Sequence, residues 1–327
     1  MKSKIHTKLS IIILNYNGLH YIKRTLPEII KKADKLHEII VVDNGSTDKS
    51  IRFLEKTRGI KVIKNSKNLG YSKGKNLGVK HAKGEYLLLL DNDILVGRTT
   101  SFSKLQEFYQ NLPSAAFLNV MLVDKEDISR GITKQYGSYY GFLGIINNRY
   151  EKVENILKYP KIIRTAISFG GAMFIKRDIW NQLGGLDESQ PFNLDDDDIS
   201  LRAGILGYKN YLYNKEYYIH LGKVERTKNE SFRWKYKYYF SGKLKPIIKN
   251  FQWKTILIIS PLFLLMTIAK TLKQTVYRND PLVIYSYISS ILQFAIDLPE
   301  TLRKRIDIQQ KRRNSDKVIF QIKKPSY

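Results

Sequence analysis

Between residues 9 and 90 the chain alternates short, continuous apolar runs with longer stretches in which apolar positions recur every three or four residues. Unbroken runs of Ile, Leu and Val predict strands buried on both faces, and the 3.6-residue recurrence predicts helices packed over them. The pattern predicts strands at 9–14, 38–42, 60–63 and 85–90, with helices near 21–32, 49–56 and 72–82. Strand and helix in turn are the mark of βαβ units around a mostly parallel, Rossmann-like sheet, so the expected class is α/β. Residues 121–165 break this rhythm with many Tyr, Gly and Asn, and are read as an insertion near an acceptor. A second regular block predicts a strand at 168–175, a short helix ending at Gly184-Gly185, an acidic loop, a helix at 199–206 and an aromatic strand at 211–219.

The polar clusters of the first block all follow strand ends: Asn15-Tyr16-Asn17, Asp43-Asn44-Gly45-Ser46, residues 65–70 and Asp91-Asn92-Asp93. Open α/β sheets bind ligands at that edge, so the four clusters predict one polar floor. Two carboxylates delivered by a buried strand suit a hard divalent cation such as Mg²⁺ or Mn²⁺, which keeps water and phosphate oxygens in its shell. Taken alone, Asp91-Asn92-Asp93 also reads as a turn that caps the next helix, and the acidic run further on is what favours the cation reading. The run Asp195-Asp196-Asp197-Asp198 repels itself, and a helix start offsets only part of that. It reads either as a solvated helix cap or as the source of a general base for an attacking hydroxyl. His220, after the aromatic strand, is either a structural histidine or a site residue.

These residues together resemble family 2 glycosyltransferases. The resemblance rests on residues 10–18, residues 38–48, Asn68-Leu69-Gly70-Tyr71 with Asn76-Leu77-Gly78, and Gly84-Glu85-Tyr86 leading to Asp91-Asn92-Asp93. It continues through Gly170-Gly171-Ala172, Gly184-Gly185-Leu186-Asp187-Glu188, the acidic run and His220, and so covers residues 9–222. It implies the GT-A fold and an inverting enzyme, of the rhamnosyltransferase-like, cell-surface glycan type, using a nucleotide-diphosphate sugar. It implies Asp43 or Asn44 at the nucleobase, with Asn15, Tyr16 and Asn17 beside it and Asn68, Asn76 and Asn92 joining the nucleotide-sugar site. Asp93 becomes the principal ligand of Mn²⁺ or Mg²⁺. Asp91 approaches the ribose, the metal or a metal-bound water, and His220 adds a metal ligand or a hydrogen bond to the diphosphate. Gly170, Gly171 and Ala172 fall on the acceptor side. The family's acidic motif, Glu-Asp-X-Asp, puts its base at Asp196; because Asp stands at both the Glu and the X positions here, Asp195 remains a second candidate.

Charge adds a partner. The 56 Lys and Arg against 30 Asp and Glu give +26, which calls for an anionic partner. Residues 221–327 carry 22 basic and 7 acidic side chains, a surplus of about +15. They also hold uncharged runs at 255–269, interrupted by Pro261, and at 281–296, followed by a basic tail at 303–313. As helices of 15 and 16 residues these runs fall short of a bilayer core of roughly 30 Å, which favours amphipathic or shallowly inserted helices on an anionic membrane. A short spanning hairpin, or a packing or homo-oligomer surface, are the alternatives. The expected division is a catalytic domain at 1–222, with a nucleotide half at 9–97 and an acceptor half at 98–222, and a helical region at 223–327. The six-residue apolar run after the basic N-terminus is too short for an export signal, which places the expected site of action at the cytoplasmic face of a membrane, on a glycan or lipid-linked acceptor. The absence of cysteine removes disulfides and thiolate chemistry. Basic residues interleaved with aromatics also suit nucleic acid, but the acidic clusters would repel a polyanion, so no nucleic-acid partner is expected. A nucleotidyltransferase acting on a sugar phosphate and a non-catalytic scaffold are the other rival classes.

Overall fold

The strands of the first block form because their alternate residues have two different cores to enter. In the computed structural model, Ile12, Leu14, Ile40, Val42, Leu87 and Leu89 enter one core, while Ile11, Ile13, Ile39, Val41, Leu88 and Leu90 enter the other. The structure describes residues 8–124, 160–190, 194–222 and 229–322, with four two-residue strands between 132 and 152. Most of the insertion read at 121–165, and with it the acceptor role expected there, lies outside the described residues, as does the basic N-terminal stretch 1–7.

The strands are β1 (Leu9–Asn15), β2 (His37–Asp43), β3 (Lys61–Lys64), β4 (Tyr86–Asp91), β5 (Ile94–Val96), β6 (Ala115–Val123), β7 (Ile132–Thr133), β8 (Tyr139–Tyr140), β9 (Ile146–Asn147), β10 (Glu151–Lys152), β11 (Ile162–Thr165), β12 (Ala172–Lys176) and β13 (Lys209–His220). The helices are α1 (Leu19–Lys32), α2 (Ser50–Lys56), α3 (Tyr71–Lys80), α4 (Phe102–Gln110), α5 (Arg177–Leu183), α6 (Asp195–Ile205), α7 (Asn229–Tyr236), α8 (Tyr239–Asn250), α9 (Trp253–Arg278), α10 (Leu282–Gln310) and α11 (Lys317–Phe320).

The main sheet runs β10-β7-β6-β12-β4-β1-β2-β3, with β13 beside β6 and pairing also with β5 and β11. β4, β1, β2 and β3 are parallel, whereas β12 lies antiparallel between β4 and β6. The expected mostly parallel sheet is parallel through its nucleotide half and again where β13 runs beside β6, and it is mixed because β12 lies antiparallel between β4 and β6. α1 and α4 cover one face with Ile22, Leu26, Ile29, Phe102 and Leu105; α3, α5, α6 and the C-terminal helices cover the other. α3 lies very close to β1, since a Cβ on Gly74 or Gly78 would stand 2.4 Å from Leu14 Cδ1 or Ile12 Cγ2. Only glycine permits that approach.

Five expectations change. The strand at 168–175 begins only at Ala172, and residues 168–171 form a loop instead. The acidic residues are not a loop before a helix at 199–206, since they form the first turn of α6. The C-terminal apolar runs lie inside helices of 26 and 29 residues, which at 1.5 Å per residue are about 39 and 44 Å long, so neither helix is too short to span. Pro261 does not interrupt α9. The basic stretch at 303–313 is no free tail: Arg305 donates to the carbonyl of Phe251 at 2.6 Å, and Arg313 N to that of Ile205 at 2.9 Å. Tyr236, Phe240, Leu244, Ile247, Phe251, Ile256, Ile259, Phe263 and Ile319 share one apolar core with α5, α6 and one face of the sheet.

Candidate active site

Parallel register sets Asn15 beside Asp43 at the ends of β1 and β2. Asp43 is wholly buried; its Oδ2 accepts from Asn15 Nδ2 at 2.9 Å and Ser46 Oγ at 2.7 Å, and its Oδ1 from Ser46 N at 2.9 Å. Asn15 Oδ1 in turn accepts from Asn92 Nδ2 at 2.8 Å, which ties β1 to the turn after β4. Asn17 Oδ1 accepts from Thr47 N at 2.7 Å. Asn44 Oδ1 accepts from Asn65 Nδ2 and Leu69 N, while its Nδ2 donates to Asn68 Oδ1 and Gly70 O. The predicted polar floor is therefore one hydrogen-bonded network. Tyr16, 47% exposed, is the aromatic ring it leaves open to a ligand.

Asn76 does not join that floor. Its side chain donates to Leu186 O at 2.9 Å and Glu188 Oε1 at 3.0 Å and accepts from Leu186 N, so it fastens α3 to the turn after α5. A cavity of about 650 Å³ lies beside it, lined by Lys73, Leu186, Glu188 and Lys304 among others, and none of Asp93, Asp196 or His220 reaches it.

The carboxylate that ends β4 and the one two residues on go separate ways. Asp91 Oδ1 meets Lys75 Nζ at 3.0 Å and Tyr71 OH at 3.0 Å. Lys75 is wholly buried, so burial lowers its pKa while Asp91 acts to raise it. The Tyr71 hydroxyl, pushed far up by burial and then by Asp91, stays protonated; its single proton goes either to Asp91 or to Gly170 O at 2.7 Å. Asp93 turns the other way. Its Oδ2 lies 3.1 Å from His220 Nε2, because β13 pairs with β5 and sets His220 opposite Ile94. A Cβ on Gly222 would stand 2.3 Å from that carboxylate oxygen and 3.2 Å from the His220 nitrogen, so the missing side chain keeps the space open.

An oxygen and an imidazole nitrogen converging on an open space fit a divalent cation whose remaining ligands come from a diphosphate and water. Among the described residues no group of three or more His, Asp or Glu would hold an ion unaided. Asp91, engaged by Lys75 and Tyr71, is the poorer ligand.

Gly170 links the Asp91 cluster to the acidic turn: its carbonyl faces Tyr71, and its N–H donates to Asp196 Oδ2 at 3.4 Å. Burial raises the Asp196 carboxyl to about 6, against the opposing pull of the Gly170 and Asp197 N–H groups. Asp195 is only 3% exposed and has an Oδ2 without a partner among the described residues; burial, then the Asp196 charge, holds it well above the carboxylate range. Asp197 is likewise raised. Asp198 goes the other way: burial acts to raise it, but Lys249 and Arg202 outweigh burial and hold it down. Asp196 thus combines partial exposure with a proton affinity near neutrality, and Asp195 lacks the exposure. Gly171 and Ala172 lead from this point into β12, with a Cβ on Gly171 reaching to 3.7 Å from Asp91 Oδ2.

Sequence reasoning missed Tyr71, Lys75 and Gly222. A signal for Lys75 was present: it shares a helical face with Ser72 and Val79, a face that buries itself on the sheet behind Asp91.

Residues 10–182 match the family described as Glycosyl transferase family 2. The chain is 31% identical over 106 residues to glycosyltransferase GlyG of Streptococcus pneumoniae serotype 4, covering 30% of this chain and 35% of that protein. It is 33% identical over 99 residues to the poly(ribitol-phosphate) beta-N-acetylglucosaminyltransferase TarS of Staphylococcus aureus strain Mu50, covering 28% of this chain and 17% of the relative. The aligned parts are thus about a third or less of those relatives. In fold it is similar to GalNAc-T7 solved with UDP, GalNAc and Mn²⁺ (TM-score 0.53, 17% identity, 68% of this chain and 45% of that one). It is similar also to the mannosyltransferase PcManGT of Pyrobaculum calidifontis with GDP-Man and Mn²⁺ (TM-score 0.52, 14% identity, 89% and 75%).

Proposed function

The chain belongs to glycosyltransferase family 2, and from that premise we propose that it inverts the sugar of a nucleotide-diphosphate donor as it passes it to an acceptor hydroxyl. The observation that carries the reading is the pairing of Asp93 with His220 just after β4, together with Asp196 at Gly170, a loop residue that Tyr71 ties to Asp91 at the end of β4, with Asp196 able to titrate near neutrality.

The network of Asp43, Asn15 and Asn44 shapes the floor for the nucleotide, and Tyr16 lies open to stack on its base. Asp91, held by Lys75 and Tyr71, faces the ribose. Asp93 and His220 would hold Mn²⁺ or Mg²⁺, which supplies positive charge to the departing diphosphate. Asp196 accepts the proton of the acceptor hydroxyl as its oxygen attacks the anomeric carbon opposite the diphosphate, while the sugar gains oxocarbenium character. One bond forms, one breaks, and no covalent enzyme intermediate is needed.

The catalytic unit is read as residues 1–222, and the hairpin of α9 and α10 as its seat on the cytoplasmic face of an anionic membrane. Leu257, Leu265, Val276, Tyr285 and Ile296 are each at least 65% exposed along it. Both ends are fastened to the protein: Arg233 of α7 pairs with Asp280 at the hairpin tip at 2.9 Å, and at its base Arg305 donates to the carbonyl of Phe251, ahead of α9, at 2.6 Å. A hairpin held at both ends lies along the protein, which favours shallow insertion over spanning. The acceptor on this reading is a lipid-linked or cell-surface glycan.

A panel of UDP-, GDP- and dTDP-sugars, assayed with Mn²⁺ and with excess EDTA, tests the reaction class. Cation-dependent release of nucleoside diphosphate is expected; release of pyrophosphate from a nucleoside triphosphate and a sugar phosphate would favour a nucleotidyltransferase.

A further inference from the structure

The turn of α6 that carries Asp196 ends at Asp198, whose side chain is wholly buried. Asp198 Oδ2 receives Arg202 Nε at 3.0 Å and Nη2 at 2.9 Å from within the helix. Asp198 Oδ1 receives Lys249 Nζ and Asn250 Nδ2, both at 2.9 Å, from the end of α8. Lys249 and Asn250 are themselves 1% and 0% exposed. Lys249 also pairs with Asp187, which Lys304 of α10 grips from the other side at 2.6 Å. Arg202 donates onward to the carbonyl of Leu183, bringing the end of α5 into the same cluster.

Apolar contact alone, through Phe240, Leu244 and Ile247, would seat α8 in this core but would tolerate small slips. Charge-assisted hydrogen bonds to one carboxylate are directional and fix a single register. Their target lies two residues from Asp196 in the same turn.

We propose that Lys249 and Asn250 are positioning residues for the transfer step, holding the first turn of α6 through Asp198 so that Asp196 stands at Gly170. The helices after Gly222 are then part of the catalytic unit and not only its anchor. The inference rests on the assignment of Asp196 as base.

The test uses the full chain as wild type, Lys249→Met, Asn250→Ala, Asp198→Asn with Lys249→Met, and Asp196→Asn. kcat and donor KM are read from nucleoside diphosphate release with the donor that the sugar panel identifies, and hydrogen exchange is followed at residues 195–198 and 86–91. Lys249→Met is expected to lower kcat ten-fold or more, with donor KM within two-fold, and to speed exchange at 195–198 but not at 86–91. Asn250→Ala should move both readouts the same way by less. The double variant, which removes the buried carboxylate together with the ammonium and keeps an amide oxygen at position 198 to accept from Arg202, should stay folded and keep the low kcat. A Lys249→Met protein with kcat within two-fold of wild type, or with kcat, donor affinity and exchange protection lost together throughout, overturns the proposal. So does a double variant that fails to fold, which would mark the cluster as scaffold. Wild-type turnover in Asp196→Asn would remove the base assignment and this inference with it, whereas an inactive Asp196→Asn beside an unimpaired Lys249→Met overturns the inference alone.

Discussion

Asp196 and Asp198 stand two positions apart, yet their surroundings move their carboxyls in opposite directions, one up to about 6 and the other down. Only the first is suited to accept a proton in turnover. Asp196→Asn is nearly isosteric and should lower turnover by about 10² to 10⁴ while donor affinity, measured by titration calorimetry, persists. Because the base acts when ionised, wild-type turnover should climb as pH rises through about 6, and a profile flat from pH 5 to 8 would reject the assignment. At the cation site, Gly222→Ala should weaken Mn²⁺ activation as Asp93→Ala does, since its methyl group would stand 2.3 Å from the Asp93 oxygen. An unchanged Mn²⁺ titration in either variant would place the cation elsewhere. The two carboxylates at the end of β4 were legible as a candidate site because a buried strand delivers them. Their division was not, for it depends on Lys75 and Gly222, which sequence spacing alone does not connect to them.

At the scale of elements, α6 began four residues earlier than the pattern suggested. Repulsion among neighbouring carboxylates argued for a loop, whereas the helix dipole and the pairing of Asp198 with Arg202 and Lys249 make a helical turn tolerable. The pairing partner Lys249 comes from a helix 51 residues further on, where no local signal announces it. The raised Asp196 carries a stability consequence. Its folded-state pKa lies above the unfolded value of 3.8, so its contribution is fully present below about 4 and is lost as pH rises through about 6. Asp196→Asn, which cannot ionise, should therefore melt higher than wild type at pH 7.5, with the gap closing toward pH 4. A gap that widens toward pH 4 would reverse the sign and contradict the raised carboxyl.

For the whole molecule, the α/β class and the strand-end floor were legible because buried strands write themselves as unbroken Ile, Leu and Val. The central place of β12 was not, since an inserted antiparallel strand carries the same apolar pattern as a parallel one. The length of the hairpin was underestimated because charged and polar residues continue α9 and α10 beyond their uncharged runs. Replacing Leu265 and Val276 together by Glu, both of them exposed, should abolish flotation with anionic vesicles and leave donor turnover in solution unchanged. High salt should weaken wild-type flotation only in part, because screening acts on the basic residues and spares apolar insertion. Flotation undiminished by the two glutamates would assign the hairpin to packing or self-association. The reaction itself is most directly tested by the anomeric configuration of the product, read by proton NMR from an α-linked nucleotide sugar. A single displacement with Asp196 as base predicts a β-linked product, and an α-linked product would contradict it.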